Sequence, residues 1–235
     1  MYWAIIAAIT ELPITIFLYK MVRKEFSSEL EKLEIEIKLM ASHVENSIEK
    51  SIHSLLEQDM DLADKVIAGD DIIDDMGAEL EVLCINLIRR QAPLAGDLRE
   101  IVSCMYVIEE LERIGDYAEG IAILTKRIGI IPLPTDLVII PQMSIKSIEM
   151  LRLSTETFLI KNPEDVKSRY KQLKSDHKKI GDLSKDVRSA LIELMKKKPA
   201  EIERATYLLW VAHNLERITD RSINIAERSM FLVGN

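Results

Sequence analysis

The string Leu-Glu-Arg-Ile-x-Asp occurs twice, at residues 111–116 and again at 215–220. Five of its six positions are identical, and Ile121-Ala122 and Ile225-Ala226 continue the match in the same register, 104 residues on (Leu111 to Leu215). An echo of this length at a fixed offset marks an internal repeat. The chain must therefore fold into two like halves, each burying the apolar face of its own copy.

The halves read as helices. Leu30, Leu33, Ile37, Met40, Val44, Ile48 and Leu55 recur in steps of three, four and seven, the spacing of one helical stripe. A second stripe starts near Asp61, runs through Leu62, Val66, Ile73, Met76 and Leu80, and stops before Pro93. A third helix spans about Gly96 to Arg127. Gly129, Pro132 and Pro134 then make the clearest break in the chain. Helices resume over Leu137–Leu159, from Asn162-Pro163 to about Lys197, and from Ala200 to about Leu232. No segment alternates with the period of two that strands require. The expected class is all-α, three helices on either side of a proline hinge, with one repeat over 21–130 and the other over 137–233.

Residues 1–20 are nearly all apolar, but Glu11 and Pro13 stand near their centre, which makes a poor membrane span. This stretch is expected to be an apolar extension, either upstream of a true start at Met21 or a membrane anchor. If it inserts, Lys20, Arg23 and Lys24 keep the remainder in the cytoplasm.

The net charge of −8 argues against nucleic acid and suits a binder of cations or basic surfaces. Cys84 and Cys104 lack metal or redox spacing and read as buried free thiols.

The chemistry lies in the repeated string. Glu112 and Asp116 are four apart and share one helical face, as do Glu216 and Asp220. One turn earlier, Glu109 in the first copy corresponds to His213 in the second. Asp70, Asp71, Asp74 and Asp75 form a further acidic run, of which Asp70 and Asp74 are one turn apart. The second half does not keep that run. Counted back from Pro199, its counterpart is His177-Lys-Lys-Ile-Gly181. Stacked carboxylates repel, so a cation, an arginine or water must offset them. Arg113 and Arg217 could supply plain ion pairs, but two copies at equivalent places favour metal. Oxygen donors with an occasional imidazole suit Fe, Mn, Mg or Zn. The ligand candidates are Glu112, Asp116, Glu216 and Asp220, then Asp70, Asp74, Glu109 and His213.

Glu112-Arg-Ile-Gly-Asp116 and Glu216-Arg-Ile-Thr-Asp220 resemble the paired signatures of the PhoU family. Gly69–Asp74, Gln91–Arg99 and Asn224–Glu227 are similar to its acidic run, an interhelical turn and its closing segment, over about residues 21–233. The resemblance implies two three-helix bundles related by a pseudo-two-fold axis, and metal ions, often iron or zinc, on the bundle surface. It also implies a homodimeric cytoplasmic negative regulator of phosphate uptake and phosphate-starvation signalling. Such a regulator would be an adaptor between a phosphate ABC transporter and a sensor histidine kinase, near the membrane through those partners. The absence of a phosphate loop, a nucleophile triad or a nucleotide signature reads as a binding protein, not an enzyme. The competing expectation is a di-metal carboxylate protein with oxidase or metal-storage activity, although such sites use Glu-x2-His on helices of a four-helix core.

Overall fold

Turn residues set where each helix stops. The computed structural model describes residues 2–91, 93, 95–130 and 139–234, with side chains from Arg23 onward except that of Gln91. Helix α1 spans Tyr2–Glu57 and ends where Gln58 takes a φ of 56°. Asp59 then accepts from the backbone N–H of Leu62 at 2.9 Å, which caps α2 (Met60–Gln91). Helix α3 (Ala95–Ile128) closes on Gly129 at a φ of 71°, a left-handed conformation that glycine adopts without strain. Helix α4 spans Ile139–Phe158. Asn162 accepts from the N–H groups of Glu164 (2.9 Å) and Asp165 (3.4 Å) and, with Pro163 in the first turn, opens α5 (Pro163–Lys197). A 3₁₀ turn over Pro199–Glu201 leads into α6 (Ile202–Val233).

There is no strand among the described residues. The all-α plan of three helices and three helices therefore holds. The last helix begins two residues later than its sequence suggests, because Pro199 starts a 3₁₀ turn.

Helices α1, α2 and α3 pack as one unit and α4, α5 and α6 as another, and the units meet along α3 and α6, with a smaller contact between α1 and α4. The predicted stripes are the core. Leu33, Ile37 and Met40 of α1 meet Leu80 and Leu87 of α2 and Leu111 and Ile114 of α3, all buried. Met143, Leu151, Leu173, Val187, Leu215 and Ile218 fill the second unit. Burying one such side chain contributes about 1.5–3 kcal/mol. The apolar contacts run unbroken from one unit to the other, so the halves share one core.

The α3–α6 seam also carries polar contacts that exchange under a pseudo-two-fold axis. Asn224 Nδ2 donates to Glu110 Oε1 at 3.1 Å. Asn214, in the place of Glu110, donates to the carbonyl of Tyr117 (3.5 Å) and lies over Gly120, in the place of Asn224. At the rims, Arg152 on α4 donates to Glu45 on α1 (2.7 Å), and Lys161 bridges Glu34 and Glu100. Cys84 and Cys104 are buried free thiols, as expected, and burial pushes the Cys84 thiol up to about 12.

The backbone of α1 runs unbroken from Tyr2. The side chains of residues 1–22, and with them the choice between a start at Met21 and an anchor, lie outside the described residues. So does the stretch 131–138 of the hinge. Among the described residues no helix is long and apolar enough to cross a membrane.

Candidate metal centre

The rotation of α2 decides which acids face α3. Val66, Ile73 and Leu80 recur every seven residues and are buried, so they turn that stripe inward. Asp70, in the same stripe, goes in with them and is itself 8% exposed. Asp74, one turn on, stands at the rim. From α3, Asp116 comes down beside the pair. One carboxylate oxygen each of Asp70, Asp74 and Asp116 lie within 4.8 Å of one another, the one such group of three among the described residues.

The sequence makes room for this. A Cβ on Gly115 would stand 3.1 Å from Asp70 Oδ1 and 3.2 Å from Ile73. A Cβ on Gly77 would stand 3.0 Å from Glu112 Oε2. The bare Cα atoms at these two positions let the acids lie this close without either neighbour having to shift.

The electrostatics follow. Burial, and then the neighbouring charges of Glu119, Asp74, Asp116 and Asp71, raise the Asp70 carboxyl to about 7. Burial and Asp74 also push up Asp116, against an opposing pull from Arg113. Glu112 is raised by burial and by Asp74, Asp116 and Glu109. Glu119 is raised by burial and by Asp116 and Asp74. Asp70 Oδ1 is buried and accepts no hydrogen bond. A buried, unpartnered carboxylate oxygen is costly, and a cation held between three carboxylates removes that cost. The donor set is all oxygen, which suits hard or borderline ions.

The expected ligands divide into three groups. Asp70, Asp74 and Asp116 come together on the first half, with Glu112 near enough to feel the charges of Asp74 and Asp116. Glu109 lies along the same rim, in a groove of about 400 Å³ that it lines with Gly77, Glu81 and Glu112. It is held by Arg113 at 2.5 Å. Glu216 and Asp220 stand one turn apart on α6 in the second half, each with its own neighbours. His177 Nε2 lies 2.8 Å from Asp220 Oδ1, Arg217 donates to Asp220 Oδ2 at 2.9 Å, and Ser184 Oγ donates to Glu216 Oε2 at 2.8 Å. His213 is exposed and sets its ring edge-on to Trp210, with centroids 5.6 Å apart. The imidazole bonded to the second motif is therefore that of His177.

Glu119 was not among the expected residues, and its signal was present: it is one turn after Gly115 on the face of Asp116. His177 was visible only as the counterpart of the acidic run. Ser184 carried no signal, since one serine on a helix is commonplace.

The PhoU domain matches this chain twice, over residues 37–125 and 140–229. The chain belongs to the PhoU family. A PhoU homologue of Clostridium acetobutylicum, named a phosphate-specific transport system accessory protein, is 34% identical over 91% of this chain and 96% of its own. The PhoU accessory protein of Escherichia coli is 28% identical over 92% of this chain and 88% of its own. Among solved structures, PhoU from Pseudomonas aeruginosa aligns with a TM-score of 0.80 at 27% identity, covering 88% of this chain and 98% of that one. The phosphate transport system regulatory protein PhoU of Streptococcus pneumoniae gives the same TM-score at 26% identity, covering 89% and 97%. The two PhoU matches coincide with the two helical units, and each contains one copy of the repeated string.

Proposed function

We propose that this PhoU-family chain is a metal-dependent accessory regulator of a phosphate transport system. It lowers phosphate uptake and phosphate-starvation signalling by binding, as an adaptor between a phosphate ABC transporter and a sensor histidine kinase. It works in the cytoplasm as a homodimer, without nucleic acid. The names of its relatives support the transport assignment.

One observation carries the metal assignment: the buried, unpartnered Oδ1 of Asp70 beside the carboxylates of Asp74 and Asp116. Those three residues would hold the ion, iron or zinc before manganese or magnesium, with Glu112 and Glu119 at its edge. A bound cation neutralises this acidic rim and fixes α2 against α3. That fixed surface is what a partner would read.

The test is a phosphate-dependent pull-down of a transporter ATPase or histidine kinase, run with metal-loaded and chelated protein beside elemental analysis. Capture by the loaded protein alone is expected. Equal capture by both forms removes the metal from the mechanism.

The same oxygen-rich set also suits redox iron, as an oxidase or an iron store would use it. Oxygen consumption on adding Fe(II) separates the two.

A further inference from the structure

We propose that the second copy of the motif is an internally neutralised ion-pair lock that takes no metal, so that this chain carries metal on its first half alone. The proposal rests on the metal reading of the first half and departs from an equal reading of the two copies.

The buried positions Val66, Ile73 and Leu80 of α2 correspond to the buried Leu173, Ile180 and Val187 of α5, each in the same order and spacing. In that alignment His177 stands in the place of Asp70 and Gly181 in the place of Asp74. Both carboxylates that α2 gives the first centre are therefore missing from α5. Ser184 fills the gap left by Gly77, and its hydroxyl donates to Glu216.

Glu81, which helps push up the Glu112 carboxyl, is replaced by Arg188, 3.7 Å from Glu216 Oε2. Both oxygens of Asp220 are engaged, one by His177 and the other by Arg217. The guanidinium thus sits where a cation would have to bind. A metal ion would have to displace Arg217 and win ligands from a set with no third carboxylate.

The exchange of Glu109 for His213 accompanies a difference between the equivalent arginines. Arg113 is drawn outward to Glu109, one turn back, and leaves Asp116 to the acid cluster. At the place of Glu109 the second copy has His213, which offers no carboxylate and turns to Trp210. Arg217 therefore pairs inward with Asp220, and its Nε donates across the seam to the Tyr117 hydroxyl at 3.5 Å.

The test uses the full chain, stripped with chelator, loaded with Zn(II), desalted and measured for zinc per chain, with circular dichroism on every variant. Asp74→Asn with Asp116→Asn is expected to lose the zinc. Asp220→Asn with Glu216→Gln is expected to keep it. His177→Asp with Gly181→Asp and Arg217→Ala restores the acids and removes the guanidinium. Position 181 has open space for a side chain, and this triple variant is expected to gain zinc over the wild type. Zinc that survives the first-half variant and disappears when the second-half changes are added overturns the proposal. A folded triple variant with no gain overturns it too. A wild-type chain that takes up no zinc overturns the metal reading of the first half, and a gain in the triple variant then still supports the lock.

Discussion

Asp70 Oδ1 sits over the bare Cα of Gly115, at a point where a methyl group would be only 3.1 Å away. A side chain there would have to move Asp70 or Ile73 by a few tenths of an ångström, which separates two effects that a glycine substitution usually mixes. Gly115→Ala gains up to about 1 kcal/mol of helix propensity and loses a comparable amount to crowding of Asp70 and Ile73. Its stability by urea unfolding is expected to stay within about 1 kcal/mol of wild type, while zinc affinity falls at least roughly tenfold, about 1.4 kcal/mol. Gly69→Ala meets nothing within 4 Å and is the control, more stable with unchanged zinc affinity. Equal affinity in both variants would remove Gly115 from the site.

The metal-free protein should lose stability as pH rises from about 4 towards neutrality. Asp70 titrates near 7 in the folded chain against 3.8 for an ordinary aspartate. A carboxyl raised on folding favours the fold while it is protonated, below the unfolded value. That advantage is lost as pH climbs from about 4 to about 7. Melting with chelator should show a higher midpoint at pH 5 than at pH 8. Asp70→Asn should flatten that slope. A slope that survives Asp70→Asn assigns it elsewhere.

Asp116→Asn is expected to act in opposite directions on the two forms. Without metal it relieves repulsion with Asp74 and stabilises the fold by a few tenths of a kcal/mol to about 1. With metal it removes a ligand. The gap in melting temperature between loaded and chelated protein should therefore collapse. A gap as large as wild type would exclude Asp116 from coordination.

Across the seam, the Tyr117 phenol reports on Arg217. Burial raises its titration, but hydrogen bonds from Arg217 and Arg221 outweigh that and lower it. Arg217→Ala should move the phenolate absorbance rise to higher pH and destabilise the fold by about 1 kcal/mol. An unchanged Tyr117 titration would mean that the seam contact is not made in solution.

The helices were legible because apolar spacing and turn residues agree: Pro93, Gly129, Asn162-Pro163 and Pro199 mark ends that the packing does not override. The first-half acids were legible because two short runs, 70–75 and 109–116, each place carboxylates one turn apart. The partner of Asp220 was not. Counting back from Pro93 and Pro199 puts His177 opposite Asp71, whereas the buried stripe puts it opposite Asp70. One residue is about 100° around a helix, enough to turn an outward imidazole into one bonded to Asp220. The direction of an arginine was equally hidden, since Arg113 and Arg217 share one string and their surroundings differ one turn back, at Glu109 and His213, and on the facing helix.

The grip of α3 on α6, reinforced where Arg152 reaches Glu45 and Lys161 reaches Glu34, changes what the connection between the units has to do. Two halves that share a continuous apolar interior do not need a peptide link to recognise one another. The link acts as a tether that raises their local concentration. Halves expressed as separate polypeptides should therefore reassemble by fragment complementation, more weakly than the tethered chain but in the same arrangement.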